Sequence, residues 1–177
     1  MKYKILASSI SSILLSAAFA QPPMYFPQVS GKDLNDKPWS APTDFPGEKT
    51  IVLIAFKREQ QAAVDTWTEG LGLNAPANTL PWLEMPLINN PGMFMRWFIN
   101  TGMKRGIASE VSRSHVWTAY TDKPAFLKAC EIPSEEVVYA LVVDRKGRIL
   151  AIESGNYSQA SAKRLTQALD PQKSDQK

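Results

Sequence analysis

The chain has 177 residues, 44% of them hydrophobic, with 20 Lys and Arg against 17 Asp and Glu, long enough for one domain with a sizeable core. A net charge of +3 without a concentrated basic run offers no extended basic face for a nucleic-acid backbone, so no nucleic-acid partner is expected. One Cys and one His exclude an intramolecular disulfide and leave no Cys-His cluster for a metal or a triad, so no metal and no other cofactor is expected.

Lys2 and Lys4 precede an apolar run over residues 5–19, and Ala18-Phe19-Ala20 stands before Gln21. This order predicts a secretory signal peptide at 1–20, cleaved after Ala20, and hence a periplasmic protein. The competing reading is a membrane anchor, but the run falls short of the ~20 apolar residues a span requires. Ser8, Ser9, Ser11, Ser12 and Ser16 also interrupt it. Cleavage leaves 157 residues and removes two lysines and no acid, so 18 basic residues face 17 acidic ones.

Residues 21–49 are rich in Pro, Asp and Gly and read as an N-terminal lead-in packed on the domain, with Phe26, Val29, Leu34 and Trp39 as anchors and a small hairpin around 30–37. The domain is expected over 50–170. Residues 50–56 form a continuous β-branched run, as a strand buried on both faces should. A helix follows over 60–71, where Ala63, Val64, Trp67 and Leu71 make an inward stripe. The apolar run 80–88 predicts a second strand, with Pro81 and Pro86 demoting it to one with ragged ends. A helix over 91–107 and a strand over 113–121 come next.

Asp122 as N-cap and Pro124 in the first turn predict a helix through Cys130. Residues 137–143 and 148–152, joined by Asp144-Arg145-Lys146-Gly147, predict a hairpin. Ser158 caps a closing helix to Leu169, with Ala162, Leu165 and Leu169 inward. Residues 171–177 are a polar tail without core positions.

The element order resembles the thioredoxin-like fold in its redoxin or peroxiredoxin form over residues 26–170. Val142-Val143-Asp144-Arg145-Lys146-Gly147-Arg148-Ile149 is similar to the Asp-Gly hairpin of that superfamily. Val52-Leu53-Ile54-Ala55-Phe56-Lys57-Arg58 followed by Val64-Asp65-Thr66-Trp67-Thr68 resembles the family of mitochondrial ATP synthase assembly factors with a thioredoxin-like domain. Residues 138–144, Gly147-Arg148-Ile149 and Ser154-Gly155 continue that likeness, whereas the export signal departs from it. The resemblance implies an α/β fold, a thioredoxin-like mixed sheet flanked by helices with an N-terminal extension. It also implies a non-enzymatic character and an assembly role.

In such a fold a redox Cys-x-x-Cys, or a peroxidatic Cys, would stand near residues 60–64, which hold Gln and Ala. The proline that commonly faces the pair, expected near Val138, is also missing. The first functional expectation is therefore an exported non-redox binding or assembly factor for envelope proteins. The alternative is a redoxin-type thiol reductase or peroxidase using Cys130 with a partner thiol. Cys130 itself reads as a buried structural thiol, or else as a sensor or intermolecular thiol.

Lys57 and Arg58 sit where cations oppose a helix dipole. They read either as a solvated helix start or as a binding edge for an anionic or carboxylate partner. Phe94, Arg96 and Trp97 belong to a Met- and aromatic-rich helix that either covers the sheet or contacts a protein or a membrane surface. His115 is expected as a strand residue with a satisfied hydrogen bond. Glu135 and Glu136 are expected on opposite faces of a strand, as a solvated pair rather than a catalytic dyad.

Overall fold

The apolar run after residue 49 lies at the middle of the sheet because neighbouring strands flank it on both sides. In the computed structural model, which describes residues 22–89 and 92–170, β1 (Val29–Asp33), β2 (Pro38–Ala41) and β3 (Lys49–Ala55) come first. They are followed by β4 (Trp82–Asn89), β5 (Trp117–Thr121), β6 (Tyr139–Asp144) and β7 (Ile149–Ser154). These form a seven-stranded sheet in the order β2-β1-β5-β4-β3-β6-β7. The pairs β3–β4 and β4–β5 are parallel, and the others are antiparallel. The helices are α1 (Gln61–Gly70), α2 (Met93–Gly106), α3 (Glu110–Ser114), α4 (Lys123–Ala129) and α5 (Gln159–Leu169).

Alternation along the strands divides the core in two. Ile51, Leu53 and Ala55 meet Val64 and Trp67 of α1 and Leu165 of α5 on one face. Val52 and Ile54 meet Phe126, Cys130, Phe26 and Phe45 on the other. Burial on both faces is what a continuous apolar run encodes. Trp67 is completely buried and its Nε1 donates to the Gly155 carbonyl at 2.8 Å, so truncation there costs about 3–5 kcal/mol. Lys49 Nζ donates to the carbonyls of Ala168 and Leu169 at 2.8 and 2.9 Å, satisfying the last turn of α5.

The hairpin β6–β7 is closed by Asp144. Its Oδ1 accepts from the N–H groups of Lys146 and Arg148, each at 2.9 Å, and Gly147 takes φ +83°. Asp122 caps α4 by accepting from the Ala125 N–H at 3.1 Å, and Ser158 caps α5 by accepting from the Ser161 N–H at 3.1 Å.

Three expectations are corrected. Strand β4 is not ragged: it occupies the sheet interior with Pro86 inside it. The Glu84 N–H bonds to the His115 carbonyl on the β5 side, and the regular β4–β5 ladder begins only at Leu87. Pro86 thus stands where the pairing is interrupted, and its missing donor is tolerated. Residues 113 and 114 end the short helix α3, so β5 starts later than expected, and His115 caps that helix instead of lying in a strand. Glu135 and Glu136 lie in the loop before β6, outside any strand. The expected signal peptide, the polar tail and the side chains of Phe94 and Trp97 lie outside the described residues.

Candidate functional site

The junction after β3 is built from Phe56, Lys57, a 3₁₀ turn over Arg58–Gln60, and then α1. Gln60 is buried and closes it. Its Oε1 accepts from the Phe56 N–H at 2.8 Å and the Lys57 N–H at 3.3 Å, and its Nε2 donates to the Glu135 carbonyl at 2.8 Å. One side-chain amide therefore ties the end of β3 to the loop that leads into β6. The Gln60 amide is not a nucleophile, and both its oxygen and its nitrogen are bonded to backbone partners.

Charge reinforces the same connection. Lys57 Nζ meets both Glu136 carboxylate oxygens at 2.7 Å, and Lys123 pairs with Glu135. The hydrogen bond that Lys57 donates to Glu136 raises the Lys57 pKa, and the one Glu135 accepts from Lys123 lowers the Glu135 pKa. The two adjacent acids thus serve two different lysines and form no dyad. Arg58 is exposed and makes no ion pair among the described residues.

Cys130 stands apart from this junction. It belongs to the core on the sheet face opposite α1, is wholly buried, and has its thiol pKa pushed up to about 12 by desolvation. Such a thiol carries almost no thiolate near neutrality. Val137 and Val138 lie immediately before β6, at the position where a facing proline would stand.

Glu84 belongs to no motif in the sequence. It sits in the interior strand β4, 9% exposed, and burial pushes its carboxyl up to about 7. A hydrogen bond from Gln61 opposes that rise, and the nearby charge of Asp65 adds to it. The available signal was a lone acid in the apolar run Trp82-Leu83-Glu84-Met85, which requires a nearby polar partner.

At the other end of the strands, His115 lies flat on Trp82 with ring centroids 4.4 Å apart, and its Nδ1 is 3.0 Å from the Trp82 carbonyl. Its expected hydrogen bond is present although its expected strand is not. A groove of about 650 Å³ opens there, against Trp82, His115 and Trp117.

Helix α2 seats on β5 through Tyr120. The Tyr120 hydroxyl donates to Asn100 Oδ1 at 2.8 Å, and the Arg96 guanidinium lies 4.9 Å from the Tyr120 ring centroid. Met93 and Met95 are exposed at the start of the helix, 88% and 45% respectively. Arg96 thus lies over β5, on a different element from Lys57 and Arg58. No helix among the described residues is long and apolar enough to cross a membrane.

This architecture is a thioredoxin-like fold whose strand-to-helix junction holds Gln60 and no cysteine. No protein-family model matches the chain, and no curated protein matches it in sequence. Solved structures do match. A thioredoxin-family thiol:disulfide interchange protein from Chlorobium tepidum TLS is similar at 16% identity, with TM-score 0.53, over 85% of this chain and 99% of that one. A putative electron transfer protein from Aquifex aeolicus VF5 has 11% identity and TM-score 0.56, over 82% and 96%. BsSco, of the Sco family of cytochrome c oxidase assembly proteins, has 8% identity and TM-score 0.56, over 86% and 96%. At these identities the likeness establishes the fold.

Proposed function

We propose that the chain is an exported binding or assembly factor for envelope proteins, built on a thioredoxin-like scaffold without electron transfer. The observation that carries this reading is the Gln60 amide, hydrogen-bonded to Phe56 and Glu135 where the fold would present a thiol. The buried Cys130 on the opposite face supports it, because a thiol held protonated is a poor nucleophile. The assembly reading draws on the likeness to ATP synthase assembly factors and on the Sco-type neighbour. Export draws on the pattern of residues 1–20 and on neighbours such as the exposed lipoprotein thioredoxin of Streptococcus pneumoniae.

The partner surface in this reading is the end of the sheet where β3 and β4 finish. Arg58 is exposed there, Val137 is 39% exposed, and Met93 begins α2 beyond β4. An exposed cation beside apolar side chains suits a protein partner with an acidic rim.

Two measurements test the proposal. A disulfide-reductase assay on the purified protein and on Cys130→Ser should give no turnover from either; Cys130-dependent turnover would overturn it. A photocrosslinker at position 58, compared with one at position 163 on α5, should give a discrete adduct with an envelope protein only from position 58. Equal labelling from both positions would remove the junction as the contact surface.

A further inference from the structure

A second groove, of about 470 Å³, lies between the N-terminal hairpin β1–β2 and α2. Its chemistry is one-sided. Lys32 and Arg96 contribute two cations, Ser30 a hydroxyl and Asn100 an amide, and no Asp or Glu among the described residues lines it. Because Asn100 Oδ1 accepts the Tyr120 hydroxyl, the amide group that Asn100 has left to offer is its NH₂. Arg96 lies over the Tyr120 ring, and a guanidinium with five donors serves more than one partner. Of the hairpin's acids, Asp33 accepts from the backbone N–H groups of Asn35 and Lys37, and Asp36 is paired with Lys104.

The independent sign of a ligand is Trp39. Its indole Nε1 is the buried side-chain polar atom that lacks a hydrogen-bond partner among the described residues. Trp39 is 4% exposed and forms part of the groove wall. The ring edge bearing Nε1 lies on Gly31, another lining residue: a Cβ there would stand 3.2 Å from Cε2 and 2.8 Å from Cζ2. Buried N–H groups are nearly always paired, so an unpaired one in the wall of a groove that Lys32 and Arg96 also line points to an acceptor supplied by a ligand.

We propose that this groove binds a small organic anion whose carboxylate or phosphate oxygens take donors from Arg96, Lys32 and Trp39, while its apolar body rests on Pro38 and the aromatic rings. The site is separate from the junction and does not depend on the function proposed there. Charge-assisted hydrogen bonds supply the selectivity, and the hairpin supplies the wall that the thioredoxin-like core lacks.

The test is a titration of the purified, ¹⁵N-labelled protein, followed by NMR at the Trp39 indole N–H, which is assigned with Trp39→Phe. The probes are benzoate, phenyl phosphate and uncharged benzyl alcohol. Benzoate or phenyl phosphate should shift the signal saturably, and benzyl alcohol should not. Arg96→Gln and Lys32→Gln should each weaken the anion about tenfold or more, the effect of losing one charge-assisted hydrogen bond. Lys32 is exposed, so its variant keeps the test valid if Arg96→Gln unfolds. Tighter binding of phenyl phosphate identifies a phosphate ligand, and tighter binding of benzoate a carboxylate. An equal response to the neutral probe, no response to either anion up to about 10 mM, or unchanged affinity in the variants overturns the proposal.

Discussion

Gln60 Nε2 donates to the backbone carbonyl of Glu135 at 2.8 Å, joining two segments 75 residues apart in the chain. The same amide accepts from Phe56, so the end of β3 and the loop before β6 share one side chain. The junction is thereby locked by neutral hydrogen bonds instead of being left open to chemistry.

Gln60→Ala removes the partner of a buried N–H and of a carbonyl at once. The expected loss is about 1–3 kcal/mol, read as a lower urea midpoint at an unchanged slope. Gln60→Glu keeps an acceptor for Phe56 but turns a carboxylate toward the Glu135 carbonyl, so it should not restore stability.

Glu84 makes stability fall with rising pH. Its folded pKa of about 7 lies above its ordinary value of 4.5, so the native state binds the proton more tightly. The contribution is complete below the ordinary value and is lost as pH rises through about 7. The span corresponds to roughly 3 kcal/mol. Denaturation midpoints measured from pH 4 to 8 should decline for the natural chain and stay flatter for Glu84→Gln, which should be the more stable of the two at pH 8.

Cys130 should resist a thiol-reactive disulfide reagent in the native protein at pH 8 and react at once after unfolding in urea. Burial, which pushes its pKa up to about 12, suppresses both access and thiolate. Rapid stoichiometric labelling of the folded chain would contradict that arrangement. Because the folded pKa is raised, stability should also decline as pH climbs from the ordinary thiol value toward 12.

Gly147 closes the β6–β7 hairpin at φ +83°, where an added Cβ would stand 3.1 Å from Pro42 Cγ. Gly147→Ala should cost about 1–2 kcal/mol from the left-handed backbone alone. A thermal melt with a lowered midpoint and a native-like spectrum is the expected readout.

Much of the architecture was legible because local physics and tertiary structure agree. The β-branched run after residue 49 is a doubly covered strand, Asp144 to Gly147 is a hairpin turn, and Asp122 and Ser158 cap the helices assigned to them. The missing thiols were equally plain, since no other residue type performs that chemistry. Glu84 and Gln60 were not legible as they act, because a lone Glu in an apolar run and a Gln in a polar turn carry no mark of their partners.

Residues close together in the chain dictate most of its strands and helices, though not α3, together with the two-faced burial of β3 and the absence of a dithiol. Tertiary structure alone decided that Pro86 fits inside the sheet, because the β4–β5 pairing is interrupted there. It also decided that Glu135 reaches Gln60, and that Lys32 and Trp39 of the hairpin face Arg96 of α2. Those relationships join residues 32 to 75 positions apart in the chain, from Leu87–Ala119 to Gln60–Glu135, and only the closing of the fold brings their donors and acceptors within reach.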